Sequence, residues 1–287
     1  MFQILQHKNK AYLLLIFFLF AFFFSCNKEK FTSDEITAIT DVVMAQSISS
    51  SFQSIAEQAH TFDVSNVAAS SSAAIIFLLD TSHTKSTSDL LNIDFGTSAV
   101  LCRDNKYRMG KMIVAYSKGF KSGFTDVEIS FENYAVGNSA SALNKIENSS
   151  SQKIICNGFN AKGFNVWTFN THLSITKSSG NKIVYTDNGS RTQISGDALA
   201  LSWDNKFQYQ FTSNCTASNK IEISTSISNN KFFVKDFSCA KPYNQGIEIA
   251  HTSSFKNDIA IDFGDGSCTN NSVEIQKAYT KQILSLE

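Results

Sequence analysis

The chain has 287 residues, with 25 basic and 25 acidic side chains and a single proline. Charge balance at a charged fraction of 17% argues against a nucleic-acid binder, which carries a basic excess to neutralise phosphates. The length suits one large β domain, and 25 Phe among many Ser, Thr and Asn suit pleated, half-buried strands.

His7, Lys8 and Lys10 form a basic start, and Tyr12 to Phe24 an apolar run of thirteen residues. That run has the length of a secretory signal and is too short for an ordinary membrane-spanning helix. Phe23-Phe24-Ser25-Cys26 resembles a relaxed bacterial lipobox, with Phe where Leu and a small residue are usual. Residues 1–25 are therefore expected to be a lipoprotein signal and Cys26 the lipidated residue. Losing Lys8 and Lys10 with the signal leaves 23 basic against 25 acidic residues. The other apolar runs, of which Ala73 to Leu79 is the longest candidate, fall short of a membrane span. The expected product sits in the cell envelope, held by the lipid on Cys26 to the outer membrane on its periplasmic or surface face.

Residues 26–62 are read as a lipidated tether and one helix. Thr32-Ser33-Asp34-Glu35 fits a capping box, with Thr32 as N-cap. Ile36, Ile39, Val43, Ile48, Phe52, Ile55 and Ala59 follow mostly at three- and four-residue spacing, which predicts an amphipathic helix. A break is expected at the serine cluster Ser47 to Ser51, and the helix is expected to cover the β domain or space it from the lipid.

Residues 63–287 read as a single antiparallel β domain. Val127, Ile129 and Phe131 alternate with polar residues, as do Trp167, Phe169, Leu173 and Ile175, and Phe207, Tyr209 and Phe211. Ile221, Ile223 and Ile227, then Ile247 and Ile249, then Ile259 to Phe263, and Val273 with Ile275 keep the same habit. Turn signals at Asp104-Asn105, Ser179-Gly180-Asn181, Asn188-Gly189 and Asp204-Asn205 separate them. The expected fold is mainly β: a β-sandwich or a long twisted meander sheet, with the N-terminal helix against it.

Ile93-Asp94-Phe95-Gly96 recurs as Ile261-Asp262-Phe263-Gly264 at an offset of 168, which also relates His83-Thr84 and Ser86 to His251-Thr252 and Ser254. Two related hairpin units, about 71–102 and 239–268, are expected. Cys239 and Cys268 flank the second unit and are candidates for a disulfide. The offset sets Ser71 opposite Cys239, so the first unit lacks half of that pair. Cys102, Cys156 and Cys215 are left with room for one further bridge and one free thiol, in any of three pairings.

No spacing nominates a catalytic residue, a cofactor site or a metal site. The five histidines are dispersed, and Cys-x-x-Cys, Gly-x-Ser-x-Gly and P-loop patterns are missing. In Ile-Asp-Phe-Gly the Asp is expected to accept backbone N–H bonds and the Gly to take positive φ, in preference to a calcium loop. Arg103, Lys106, Tyr107, Arg108 and Lys111 form the densest basic cluster and a candidate ligand patch. The sequence favours a non-enzymatic binding or structural module for protein or glycan over a hydrolase acting on envelope or extracellular polymers.

Ile93 to Gly96, Cys102 to Lys111, Phe131-Glu132-Asn133-Tyr134, Cys239 and Ile261 to Asn271 together resemble a family of uncharacterised lipoproteins from Bacteroidota-type bacteria. The likeness spans roughly residues 70 to 275. The family usually has Asp where this chain has Thr269, and Cys where it has Ser71. What the resemblance implies is a location and a fold, and no chemistry.

Overall fold

A computed structural model describes residues 29–59, 67–69, 75–80, 89–117, 126–196, 205–228, 231–236, 239, 241–268 and 272–286. Cys26, Ser71 and His83 lie outside them. Helix α1 (Ser33–Ala59) begins at the expected capping box: Thr32 N–H donates to Glu35 Oε2 at 2.7 Å, and Glu35 N–H to Thr32 Oγ1 at 3.2 Å. It runs unbroken through the serine cluster, against expectation. Ser50, Ser51 and Ser54 hydroxyls donate to the carbonyls of Ser47, Ile48 and Ser51, one turn back, so their burial strands no donor.

Twenty of the 27 helical residues are buried, far more than the single stripe of a helix that covers a surface. Instead of standing apart from the β domain, α1 lies in its core. Among the described residues sixteen strands form one antiparallel sheet around it, the mainly β fold that was expected. The strands are β1 (Ile76–Asp80), β2 (Asp89–Asp94), β3 (Val100–Leu101), β4 (Tyr107–Tyr116), β5 (Val127–Gly137), β6 (Asn144–Ile146), β7 (Ser151–Phe159) and β8 (Asn165–Thr176). They continue with β9 (Lys182–Ser195), β10 (Lys206–Thr216), β11 (Glu222–Ile227), β12 (Phe233–Asp236), β13 (Gln245–His251), β14 (Ile259–Asp265), β15 (Ser272–Lys277) and β16 (Thr280–Ser285).

Their spatial order follows the chain, as in a meander. Two positions are each filled by a pair of short strands: β6 and β7 both lie between β5 and β8, and β11 and β12 between β10 and β13. The sheet curls so that one helix meets strands from both halves. Phe52 packs on Phe131 of β5 with ring centroids 4.5 Å apart, Ser49 reaches Asp187 of β9, and Gln46 reaches Glu248 of β13. Near the end of the path, Asn138 Nδ2 donates to Leu286 O at 2.8 Å and brings the chain after β16 beside the β5–β6 turn.

The two Ile-Asp-Phe-Gly segments adopt the same local structure. Gly96 N–H donates to Asp94 Oδ1 and Gly264 N–H to Asp262 Oδ1, each at 2.8 Å, and both glycines have positive φ. Ile93, Phe95, Ile261 and Phe263 are buried. Their hairpins differ in register, however. Ile76 faces Asp94 in the first, whereas Ile247 faces Asp262 in the second, so the second connection is three residues shorter. By that register the position of His251 is matched by Asp80 in the first hairpin.

One expected parity is reversed. In β13 the inward residues are Gly246, Glu248 and Ala250, while Ile247 and Ile249 are half-buried on the other side. A register shift between Gln245 and Ile247, at Gly246 with φ 124°, sets this phase. The inward carboxylate is met by the Gln46 amide of α1, at 2.9 and 3.0 Å.

The Cys239–Cys268 disulfide is present, with Cα atoms 5.4 Å apart. Cys102, Cys156 and Cys215 are all free, so the further bridge is not made. The sheet order explains why: β8 and β9 separate Cys156 from Cys215, and β4 and β5 separate Cys156 from Cys102. Strands spaced about 4.8 Å apart then put the thiols well beyond bonding reach.

Candidate functional site

Two clefts carry polar side chains of interest, one outside the sheet and one beside the helix. The outer one is built by the β7–β8 turn. Gly158, with φ 80°, lies within a register shift between Cys156 and Phe159, which re-aims the end of the hairpin. Asn160 then ties the turn, its Oδ1 accepting from Lys162 N–H at 2.9 Å and Phe164 N–H at 3.0 Å. The turn overhangs the outer faces of β9 and β10 and leaves a groove of about 380 Å³ lined by Asn160, Phe164, Ser190, Thr192, Gln208 and Gln210. Phe164 in this lining is 36% exposed, and Phe159, at the end of β7, is 53% exposed. Lys162 is the one charged side chain in the lining, which holds no carboxylate.

Alternation sends Asp187 and Arg191 of β9 inward, while Lys182 and Lys206 stay exposed at the strand ends. Arg191 is sandwiched between Trp167 and Phe207, with its guanidinium carbon 4.7 Å from each ring centroid. It donates to Gln53 Oε1 at 3.2 Å and to Glu57 Oε1, while Tyr209 OH donates to Gln53 Oε1 at 2.9 Å. Burial outweighs the attraction of Arg191 and pushes the Glu57 carboxyl up. Further along α1, Ser49 donates to Asp187 Oδ2 at 3.0 Å, and Lys177 meets Asp41 at 2.6 Å. Glu35, besides its capping bond, pairs with Lys277 of β15 at 2.7 Å. Burial raises Asp187 to about 6 and Glu248 to about 7. These perturbed acids face the helix instead of a cleft, so their chemistry is structural.

The basic cluster read from the sequence is not one surface. Arg108 is fully buried and makes a bidentate pair with Asp104 at 2.7 and 2.6 Å, while its Nε donates to Tyr134 OH. Lys106 is buried too, Tyr107 is half-buried, and Arg103 is exposed. Lys111 lies 3.9 Å from Asp94. The outer groove was missed in sequence because its lining consists of Ser, Thr and Gln on strands that otherwise announce only their apolar parity. The Gly158-Phe159 and Gly163-Phe164 pairs flanking Asn160 were the available signal.

Asp236 lies with Cys239 and Cys268 in a cluster of metal-ligand type, but the disulfide occupies both sulfurs. Burial pushes the Cys102 thiol up and that of Cys215 to about 12, which makes both poor nucleophiles. His251 Nδ1 meets Asp258 Oδ1 at 2.8 Å on the surface, with no nucleophile recorded beside it among the described residues. No helix among the described residues is long and apolar enough to cross a membrane. No protein-family model, curated protein or solved structure matches this chain.

Proposed function

We propose that the protein is a lipid-anchored binding module of the cell envelope, of the lipoprotein family it resembles, and that the β7–β10 groove holds a neutral glycan. The observation that carries this reading is the groove's composition: Phe164, 36% exposed, beside the amides and hydroxyls of Asn160, Ser190, Thr192, Gln208 and Gln210. Aromatic faces pack on the apolar faces of sugar rings, while uncharged side chains exchange hydrogen bonds with hydroxyls. A phosphorylated or uronic polymer would call for more cations than Lys162 alone.

The path of the chain supports an arrangement with the groove away from the bilayer. Glu29, three residues after Cys26, is already fixed at the β13–β14 turn, where it accepts from Asn257 Nδ2 at 2.9 Å. At about 3.5 Å per residue, a lipid on Cys26 would sit within roughly 11 Å of that turn. Helix α1 runs from this end toward Gln53 and Glu57, which contact Arg191 and Tyr209 on the strands that line the groove. About twenty residues of helix at 1.5 Å each raise the groove roughly 30 Å.

Glycan-array binding tests the reading. The protein should bind neutral oligosaccharides, and Phe164→Ala should lose at least tenfold in affinity with an unchanged melting temperature. Binding that is equal in Phe164→Ala, or confined to acidic glycans, would refute it. Release of a Cys26→Ala variant from the membrane fraction tests the anchor, and retention there without a lipid would refute that part. The described clefts hold no carboxylate in their linings, so no observation favours the hydrolase reading.

A further inference from the structure

A second cleft, of about 260 Å³, opens between α1, the β5–β6 turn and the chain after β16. Its walls are largely apolar, and Lys106 enters them from the β3–β4 connection with only 8% of its surface exposed. The Lys106 ammonium donates to the neutral Asn138 Oδ1 at 3.3 Å, and among the described residues it has no carboxylate within ion-pair range. Asp104, the nearby acid, has both oxygens engaged by Arg108. Lys235, also buried and in the field of Asp104, donates to the carbonyls of Cys239 and Lys241. Three buried cations thus crowd around Asp104, and the further acid Asp236 acts on Lys235 and not on Lys106. Uncompensated buried charge is costly, and an anion entering beside Lys106 would relieve it. Burial lowers Lys106 only to about 8, so it is mostly charged at neutral pH.

We propose that this cleft binds the carboxylate of a medium-chain acyl molecule, its head on Lys106 Nζ and its chain along Val43, Met44, Ile48, Val136, Ala142 and Leu286. The charge complementarity selects an anion, and the walls select an aliphatic tail. Allowing about 30 Å³ for each water-sized group, the space holds about nine of them, the bulk of an eight-carbon acid. The other lysine in the lining, Lys177, is already paired with Asp41 at 2.6 Å and leaves Lys106 as the anion's partner. This site shares no residue with the outer groove and stands or falls independently of it.

The test is calorimetric titration of the full chain in lipid nanodiscs at pH 7, against empty nanodiscs, with sodium octanoate, sodium acetate and 1-octanol. Octanoate should saturate at one per chain, and acetate and octanol should each bind at least tenfold more weakly. Lys106→Met should lose at least tenfold in octanoate affinity without a fall in melting temperature, because it removes an uncompensated buried charge. Ala142→Trp, at the exposed rim, should lose it equally by filling the cleft, and Lys145→Met on the surface should not. Octanoate heats no larger than those of empty nanodiscs would overturn the proposal. So would unchanged binding in folded Lys106→Met or Ala142→Trp, or octanol binding as tight as octanoate.

Discussion

Strands β9 and β10 present two opposite chemistries on their two faces. Outward, where they line the groove, lie Ser190, Thr192, Ile194, Gln208 and Gln210, without a charge among them; inward lie Arg191 and Tyr209, tied to the buried helix. Most sheets put ionisable groups in water and apolar ones in the core. Here the core side holds a ladder of polar contacts, Asp41 with Lys177, Gln46 with Glu248, Ser49 with Asp187, and Glu57 with Arg191. An apolar helix in an apolar sleeve could slip by a turn at modest cost. Four partners at fixed heights along α1 are satisfied in one alignment only, which suits such contacts to setting register more than to adding stability.

The sharpest way to break this contrast is at Arg191. Arg191→Met leaves Glu57 without its donor inside the core and Gln53 with Tyr209 alone, and should cost about 3–5 kcal/mol in urea unfolding. The double variant Arg191→Met/Glu57→Met should recover most of that loss, because no lone charge remains. A single variant within about 1 kcal/mol of wild type would show that the inner face does not depend on its ion pair.

Titration gives a second, smaller handle. Asp187 and Glu248 have folded-state values near 6 and 7, above their ordinary values of 3.8 and 4.5. The folded protein therefore holds more protons than the unfolded chain between about pH 4 and 7. The stability they contribute is complete below the unfolded values and is lost as pH rises through 6 and 7. Lys235 and Lys106, lowered from 10.5 to about 7 and about 8, act in the opposite sense: their contribution is present above 10.5 and lost as pH falls toward 7. Together the four groups place a trough of stability near neutral pH. Glu248→Gln keeps an amide opposite Gln46 and should add about 1–2 kcal/mol at pH 7.5. The variant should converge with wild type near pH 4.5. Melting curves that climb steadily from pH 5 to 7.5 would contradict this picture, as would a Glu248→Gln variant less stable at pH 7.5.

The same contrast explains what could be read from the residues alone. The capping box, the strand alternation, the Cys239–Cys268 staple and the Asp-to-Gly bonds of both Ile-Asp-Phe-Gly segments are local, and each was legible. The depth of α1 was not, because Gln46, Ser49, Gln53 and Glu57 look like a solvated stripe until Glu248, Asp187, Tyr209 and Arg191 arrive from far along the chain. Glu248 itself was misassigned to the outer face, since Ile247 and Ile249 carry the stronger apolar pattern. Lys106 and Arg108 were grouped on one surface because a run of cations in sequence gives no sign of alternation into a core. The outer groove depends on where one hairpin end falls over two distant strands, and neutral side chains leave no motif for that.

The smallest effect is also the cleanest comparison, since it uses adjacent residues of one strand. Tyr209 on β10 faces inward and donates to Gln53 at 2.9 Å, whereas Gln208 faces the groove. Tyr209→Phe deletes a single hydroxyl from the core and leaves one buried hydrogen bond unmade, at a cost of about 1 kcal/mol. Gln208→Ala removes more atoms but from a wetted face, and should change stability by less than about 0.5 kcal/mol. Glycan affinity should respond in the opposite order, falling for Gln208→Ala and holding for Tyr209→Phe. Unfolding curves and array titrations on the two variants separate the faces, because a role shared between them would move both readouts in both proteins. If Gln208→Ala proved the less stable of the two, the outer face would be a structural surface and the groove an accident of its hairpin.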